Sequence, residues 1–201
     1  MARPALLPAP GRGSYDRSLS RAERDAEHRE RLLRATAEVL SDGPLTVARI
    51  VERAGVGRST FYEFFDSPEH LLEQLEQRLL RSLEGAFGAG LADARTPLER
   101  VRAIARSWLA ALEERSLEAR VALSRRPGAA LLSPAGELLH QTLQRAVEAA
   151  RRELGGFKAT DDVSVLAAAA AAETISRRHL TLIPVRDAPR VLADVMIKLL
   201  R

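Results

Sequence analysis

The residues best suited to binding chemistry follow a tight glycine turn in the first third of the chain. They are Arg58, Ser59, Thr60, Tyr62 and Glu63. A guanidinium binds guanine O6 and N7 or a phosphate, hydroxyl groups bind phosphate and sugar oxygens, and a carboxylate accepts a hydrogen bond from cytosine N4. Such side chains on one short helix are suited to reading duplex DNA, provided that they share an exposed face.

The apolar residues around this polar set predict how it is positioned. Ile50, Ala54, Val56, Phe61 and Phe65 are spaced to form one small shared core. Two short helices would meet at Gly55, because glycine permits the sharp bend between them. Since the core takes the inward positions, the polar residues are left on the outer face of the second helix. The pattern predicts a helix-turn-helix whose second helix fits a major groove.

This segment resembles the DNA-binding module of the TetR family of bacterial transcriptional repressors. The shared residues are Thr46, Ile50, Ala54-Gly55-Val56, Thr60-Phe61-Tyr62, Phe65 and Leu71, and residues 32–40 look like that family's first helix. The ordered set is far more specific than a lone Ala-Gly-Val. It covers the first third of the chain.

Four positions depart from the family pattern. Val51 stands where a small alanine is usual at the helix crossing, and Gly57 where serine is common. The link at residues 43–45 is shorter than the usual loop. Pro68 replaces a lysine that commonly helps hold a phosphate, so the resemblance does not carry that contact over.

The resemblance implies a homodimer whose heads lie in successive major grooves of a palindromic operator, about 34–36 Å apart. The residues expected at the DNA are Arg12, Arg17, Arg21, Thr46, Gly57, Arg58, Ser59, Thr60, Tyr62 and Glu63. Backbone N–H groups of the helix that Thr46 begins can bind a phosphate. Arg58 would take either guanine or phosphate. Glu63 would either accept from cytosine or repel phosphate and sharpen selectivity.

Charge is unevenly distributed along the first third of the chain. Residues 1–22 hold four arginines against one aspartate, whereas residues 23–66 hold seven arginines against nine acids. Residues 1–19, rich in proline and glycine, are therefore interpreted as a basic flexible arm that supplies phosphate attraction. The alternative is an idle tail whose arginines are incidental.

Composition favours an all-α fold with no membrane-spanning segment. The chain has 201 residues, 46% of them hydrophobic and 4% aromatic, and alternating strand patterns are absent. It has no cysteine, which excludes disulfides and thiolate chemistry and permits a cytoplasmic, nucleoid-associated location. The predicted domains are the arm at 1–19, a three-helix helix-turn-helix head at 20–66, and a helical ligand-binding and dimerisation domain at 67–201.

Capping patterns predict where the helices begin and end. The predicted starts are a Ser20–Glu23 capping box, Thr46, Ser67-Pro68, a Thr96–Glu99 capping box, Leu117, Ser133-Pro134, the Thr160-Asp161-Asp162 cap and Asp187. The helix from Pro68 is expected to reach about Ala86, because Gly85, Gly88 and Gly90 then loosen it.

Two further sets of residues are assigned through the resemblance. The family surrounds a ligand cavity with its central helices, which implicates Phe87, Trp108, His140, Gln141 and Gln144. Trp108 and His140 could equally be ordinary core or surface residues. The family's last two helices form a four-helix bundle with a partner subunit, which implicates Val163, Leu166, Ala170, Val191, Leu192, Val195 and Leu199. For the alanine-rich helix at 165–172, an interior helix is the alternative.

Motifs of catalysis are absent from the sequence, with no Gly-x-Ser-x-Gly, no His-Glu-x-x-His and no phosphate-binding glycine loop. The predicted function is therefore a DNA-binding regulator, a repressor that a small-molecule effector releases from its operator, with no cofactor and no metal. The alternatives are a nucleoid-associated protein of low sequence preference and a helical interaction module that does not bind DNA.

Overall fold

The computed structural model describes residues 20–124, 130–154, 161–181 and 187–200, and all regular structure in these ranges is helical. The helices are α1 (Arg21–Asp42), α2 (Val47–Ala54), α3 (Arg58–Phe64), α4 (Pro68–Leu91), α5 (Pro97–Glu114), α6 (Ser116–Ser124), α7 (Pro134–Leu154), α8 (Asp162–Thr181) and α9 (Ala188–Leu199). The predicted all-α class is confirmed. The predicted arm at 1–19 lies outside the described residues. In the parts described, no helix is long and apolar enough to cross a bilayer.

The chain divides into two compact units, the first ending at Leu71 and the second beginning at Leu72. The first contains α1, α2, α3 and the first turn of α4. The second contains the remainder of α4 and helices α5 to α9. The boundary falls inside α4, a few residues later than the domain boundary expected from the sequence.

The start of α1 is fixed by the predicted capping box. The Ser20 hydroxyl accepts from the Glu23 N–H at 3.2 Å, and the Glu23 carboxylate accepts from the Ser20 N–H at 2.7 Å. These hydrogen bonds with Ser20 lower the pKa of Glu23. The second predicted box is equally present at α5, where Thr96 and Glu99 exchange the same two bonds and the pKa of Glu99 is lowered.

The turn between α2 and α3 depends on Gly55. Its φ of 65° and ψ of 38° place it in the left-handed region, which side chains with a Cβ rarely adopt. Its N–H donates to the carbonyl of Glu52 at 3.2 Å, and the Val56 N–H donates to the carbonyl of Val51 at 3.1 Å. These bonds satisfy the last carbonyls of α2 and let the chain reverse into α3.

A buried apolar cluster holds α1, α2 and α3 together. The predicted core residues Ile50, Ala54, Phe61 and Phe65 are all buried, and Val56 is half-buried. The Phe61 and Phe65 ring centroids lie 5.9 Å apart, and the Arg29 guanidinium sits 5.5 Å from the Phe65 centroid. The faces of α2 and α3 that do not pack here are thereby left outward.

The second unit has a larger core, in which α5 packs against α7 and α9, and α8 packs against α7 and α9. Trp108 is fully buried within it, and its indole N–H donates to the Ser176 hydroxyl at 2.8 Å.

The expectation that α4 ends near Ala86 was wrong, because α4 continues to Leu91. Gly90 has a packing role there, since a Cβ at this position would collide with the Ser107 side chain.

Two other predicted helix starts had different outcomes. The Asp161 carboxylate accepts from the Ser164 N–H at 2.8 Å, so it caps α8, and this bond lowers the pKa of Asp161. The predicted start at Asp187 is confirmed, because Asp187 is the N-cap residue of α9, but its side chain does not form a capping bond. Asp187 has a positive φ of 53°, and its backbone carbonyl accepts from the N–H groups of Arg190 and Val191 instead.

A buried carboxylate joins α7 to α8. Glu173, on α8, is fully buried, and its Oε2 accepts from the backbone N–H of Ser133 at 3.0 Å and from its hydroxyl at 3.2 Å. Its Oε1 accepts from the Arg177 guanidinium at 2.8 Å. A Cβ on Gly136 would collide with the same carboxylate. The N-terminus of α7 therefore receives a negative charge from a neighbouring helix.

Replacing Gly55 should destabilise the first unit through its backbone alone. Gly55→Ala must hold alanine at a positive φ, and its Cβ would lie 2.8 Å from the Arg31 Nη2. The expected loss is about 1–2 kcal/mol in the free energy of opening, measured by hydrogen exchange of the α1 to α3 amides. Gly57→Ala is the matched control, because Gly57 has a φ of −78° and its nearest neighbour would be 3.5 Å away. Equal stability of the two variants would contradict this account of the turn.

Candidate nucleic-acid interface

The outward face of α3 carries the polar residues expected at DNA. Arg58, Ser59, Tyr62 and Glu63 are exposed, and Thr60 is half-buried. Tyr62 is the largest of them, with 57% of its surface exposed and its ring edge-on to Phe61 at a centroid distance of 5.3 Å. The structure therefore places these five side chains on one short helix, four of them exposed to solvent.

The N-termini of α2 and α3 offer backbone donors. Thr46 begins α2, and its hydroxyl accepts from the Arg49 N–H at 3.4 Å, which confirms the predicted cap. Gly57 begins α3 and provides no side chain to cap it. The first N–H groups of a helix are unused by the helix itself and carry partial positive charge, so both ends can bind a phosphate oxygen.

Three arginines of the first unit are committed to holding its helices together. Arg31 of α1 donates from Nε and Nη2 to the Ala54 carbonyl at 3.0 and 2.6 Å, and from Nη2 to the Gly55 carbonyl at 3.0 Å. Arg49 donates to the Pro44 carbonyl at 2.7 Å. Because these N–H groups bind backbone carbonyls, fewer arginine donors remain for direct contact with DNA than a simple count suggests.

The third of these, Arg53, links α2 to α1. Its guanidinium pairs with Glu38 at 3.1 Å and with Asp42 at 3.2 Å, and the hydrogen bond to Glu38 raises the pKa of Arg53. Sequence reasoning missed the roles of Arg31 and Arg53, since their partners lie 11 to 24 residues away. By contrast, no ion pair of Arg58 is found among the described residues.

The link between α3 and α4 contains the predicted helix start at Ser67-Pro68 and contacts of His70 that the sequence analysis did not anticipate. The Ser67 hydroxyl accepts from the His70 N–H at 3.1 Å and so caps α4. The His70 Nδ1 accepts from the Asp66 N–H at 3.3 Å and lies 3.2 Å from the Asp66 carboxylate. The His70 ring also packs edge-on against Phe65, with centroids 5.9 Å apart. Together these interactions give α4 a defined start beside the helix-turn-helix.

Of the DNA-contact candidates before α1, only Arg21 is described. Arg12 and Arg17 lie outside the described residues. Arg21 is the first residue of α1, its side chain is almost fully exposed, and its Nε lies 4.0 Å from the Asp25 carboxylate. An ion pair so exposed is weak in water, so it leaves Arg21 able to bind another anion.

The five residues expected at a ligand cavity do not come together. Phe87 is buried beside a groove between α4 and α7. Trp108 lies in the core, while Gln141 is exposed and donates to Glu137 at 3.3 Å. The remaining two, His140 and Gln144, are half-buried on α7, and Gln144 lines a different groove beside Val165. Sequence spacing alone did not identify which helix faces enclose a common space.

The residues expected at a subunit contact differ sharply in exposure. Val163 is 70% exposed, Val191 38% and Leu199 39%, whereas Leu192 is fully buried in the core of its own chain. The assignment of Leu192 to a partner-facing surface was therefore wrong. The others in the set, Leu166, Ala170 and Val195, are half-buried.

Known proteins share both the local motif and the whole fold. Residues 32–75 match the family model of bacterial regulatory proteins, tetR family. A TetR-like transcriptional regulator from Rhodococcus sp. RHA1 superposes with a TM-score of 0.65 at 15% identity, covering 90% of this chain and 97% of that one. The TetR family transcriptional regulator PfmR from Thermus thermophilus gives 0.60 at 22% identity, covering 86% and 95%. Residues 32–75 thus carry the DNA-binding module of the tetR family of bacterial regulatory proteins, and the described chain shares the fold of these regulators.

One further structure extends the fold comparison. The fatty acid degradation regulator FadR from Bacillus halodurans gives a TM-score of 0.62 at 14% identity, covering 87% of this chain and 97% of that protein. No curated protein matches the sequence. The match over residues 32–75 identifies the DNA-binding helix-turn-helix of tetR-family regulators in this chain, as its sequence predicted.

Two adjacent aromatic residues of this regulator should behave in opposite ways. Phe61→Ala removes a fully buried ring and should lower the opening free energy of the first unit by about 3–5 kcal/mol, measured by hydrogen exchange. Tyr62→Ala removes an exposed ring and should weaken DNA binding while costing about 1 kcal/mol or less in stability. Fluorescence anisotropy with a duplex selected from a randomised pool measures the binding. The reverse pattern would mean that the two side chains have exchanged faces.

Proposed function

We propose that this TetR-family regulator is a homodimeric repressor that binds a palindromic operator and is released from it by a small-molecule effector. The observation that carries the proposal is the exposed polar face of α3, presented by a head whose turns are held by internal hydrogen bonds. Its place of action would be the nucleoid in the cytoplasm. Two such heads on a two-fold axis would meet successive major grooves about 34–36 Å apart.

Each side chain of α3 has a role that fits its position. Arg58 has an exposed guanidinium at the first turn of α3, suited to guanine O6 and N7 or to a phosphate. Thr60 and Tyr62 would contact phosphate and sugar, which orients the helix without reading sequence. Glu63 is exposed on the same helix, so it would accept from cytosine N4 or exclude sequences that bring phosphate close.

Dimerisation would use the outward faces of α8 and α9. Val163, Val191 and Leu199 are three of the exposed large apolar residues of the described chain, and all lie on these two helices. On α8, Ala167 is exposed and Ala170 half-buried, continuing the face of Val163 at helical spacing. Small side chains let helix backbones approach closely, so a partner's helices could cover this surface.

The DNA-binding part of the proposal can be tested without knowing the operator. Selection from a randomised duplex pool should return a dyad-symmetric site, bound at least about 1,000-fold more tightly than random duplex at physiological salt. Equal affinity for the selected site and for random duplex would instead favour a nucleoid-associated protein of low sequence preference. Absence of binding to any duplex would favour a helical interaction module. Placing the selected site between a promoter and a reporter then separates repression from activation.

Subunit contact is tested by two adjacent residues of α9. Val191→Glu places a charge on the exposed face and should give monomers and weaken operator binding together, because each head then binds alone. Leu192→Glu buries a charge in the chain's own core and should reduce folded yield instead. Sedimentation velocity at micromolar concentration measures the state of assembly. A wild-type monomer under these conditions would overturn the dimer.

The basic arm supplies a third test. Since Arg31, Arg49 and Arg53 are used inside the head, much of the phosphate attraction would come from Arg12, Arg17 and Arg21, reaching an adjacent minor groove. Deleting residues 1–19 should lower affinity and reduce the log–log salt slope by about 0.9 for each phosphate that the arm no longer neutralises.

The matched control replaces only Arg12 and Arg17 by glutamine in the full chain. This variant loses the charge of the arm but keeps its length. Both variants should remain dimeric. An unchanged salt slope in both variants would mean that the arm does not neutralise DNA phosphates, as the alternative interpretation holds.

A further inference from the structure

The second unit contains a groove between α4, α5 and α7, with a volume of about 550 Å³. Its lining residues are Glu84, Phe87, Gly88, Leu91, Arg100, Leu138, Thr142, Arg145, Ala146 and Ala149. This volume lies within the range of sites that bind small organic molecules, roughly 300–1,000 Å³. The chemistry of the lining decides which class of molecule it suits.

One wall of the groove is apolar. Phe87 and Ala146 are buried, and Leu91 and Leu138 are half-buried. The one hydroxyl of the lining, on Thr142, donates to the Leu138 carbonyl at 2.8 Å. With its proton used in this way, Thr142 can only accept a hydrogen bond from a ligand. The body of a bound molecule would therefore be predominantly hydrocarbon.

The charges of the lining favour an anion. Arg100 is half-buried and Arg145 is exposed, against one carboxylate, the exposed Glu84. The Arg145 Nε donates to the Gln141 carbonyl at 3.2 Å, which orients the guanidinium and uses one of its five N–H groups. Within the described ranges no carboxylate pairs with Arg145. A fixed guanidinium beside an apolar wall suits a carboxylate attached to a hydrocarbon body.

Gly88 lines the groove without a side chain. It lies inside α4, where glycine destabilises a helix relative to alanine, and no atom lies within 4 Å of the place where its Cβ would stand. Gly90, two residues later, is explained by its close approach to Ser107. Gly88 has no such neighbour, so the absent side chain leaves space that belongs to the groove.

We propose that this groove binds an amphipathic organic anion, with its hydrocarbon body along Phe87 and Leu138 and its carboxylate at Arg145. The further claim that binding of this ligand relieves repression rests on the proposed function. The same helix, α4, begins at Pro68 in the first unit and lines this groove with Phe87 and Gly88 in the second. A ligand that favours one position of α4 would thereby change the affinity for operator.

The test uses the full dimeric chain and three ligands that share a ten-carbon body. Displacement of 1-anilinonaphthalene-8-sulfonate is followed by fluorescence with decanoate, 1-decanol and decylamine as competitors. Decanoate should bind about tenfold more tightly than decanol, and decylamine should bind more weakly than either, because a hydrogen bond to a charged group strengthens binding by about that factor. Equal affinity of decanoate and decylamine would overturn the assignment of an anion.

Two variant pairs locate the site. Gly88→Leu should abolish decanoate binding by filling the groove, whereas Gly85→Leu, one turn earlier on the same helix and also in open space, should not. Arg145→Gln should weaken decanoate about tenfold and leave decanol unchanged, whereas Arg152→Gln, exposed on the same helix outside the lining, should change neither. Full binding by Gly88→Leu, or equal losses in both members of a pair, would overturn the site.

Operator release is measured separately, by anisotropy of the selected duplex in the presence of decanoate. Decanoate bound with the predicted variant pattern but without release would leave the groove assignment standing and reject the effector role. Failure to select any duplex would reject the proposed function, while the fluorescence titrations would still decide the groove. Absence of displacement by all three ten-carbon ligands would overturn the inference itself.

Discussion

The hydrogen bonds from Arg31 to the Ala54 and Gly55 carbonyls are the interaction on which the DNA-binding surface depends. They join α1 to the last turn of α2 at the point where the left-handed Gly55 reverses the chain. The angle between α2 and α3 is set there. That angle decides which residues of α3 are buried with Phe61 and which, such as Tyr62, remain outward. A side chain on α1 thus helps to hold the turn that presents α3.

The charge balance of the head bears on how the proposed regulator would discriminate among DNA sequences. Residues 23–66 hold seven arginines against nine acids, so the general attraction of the head for phosphate is small. Under the proposed function, contacts to phosphate from the arm and from the helix N-termini would position α3. Discrimination would then depend on the few side chains of α3 that reach base edges, such as Arg58.

The features that the sequence predicted well are local. Capping boxes at Ser20 and Thr96 join residues three apart, and the Phe61–Tyr62 alternation of buried and exposed follows from helical periodicity. The features that it missed depend on distant partners. Gly90 does not end α4 because Ser107 of another helix packs against it, and Leu192 is buried by neighbours that one-dimensional spacing does not specify. Of the five residues expected at a cavity, only Phe87 lines the groove of α4, α5 and α7, since residues of three helices build it.

The buried carboxylate of Glu173 has a consequence for how this chain can change in evolution. Any side chain at Gly136 would occupy the space of that carboxylate, and removing the carboxylate would leave Ser133 and the buried end of Arg177 without an acceptor. Positions 136 and 173 are thus coupled, because a side chain at 136 requires the carboxylate to move away from Ser133. Descendants of this chain should therefore change these two positions together more often than independently, leaving a covariation signal between α7 and α8.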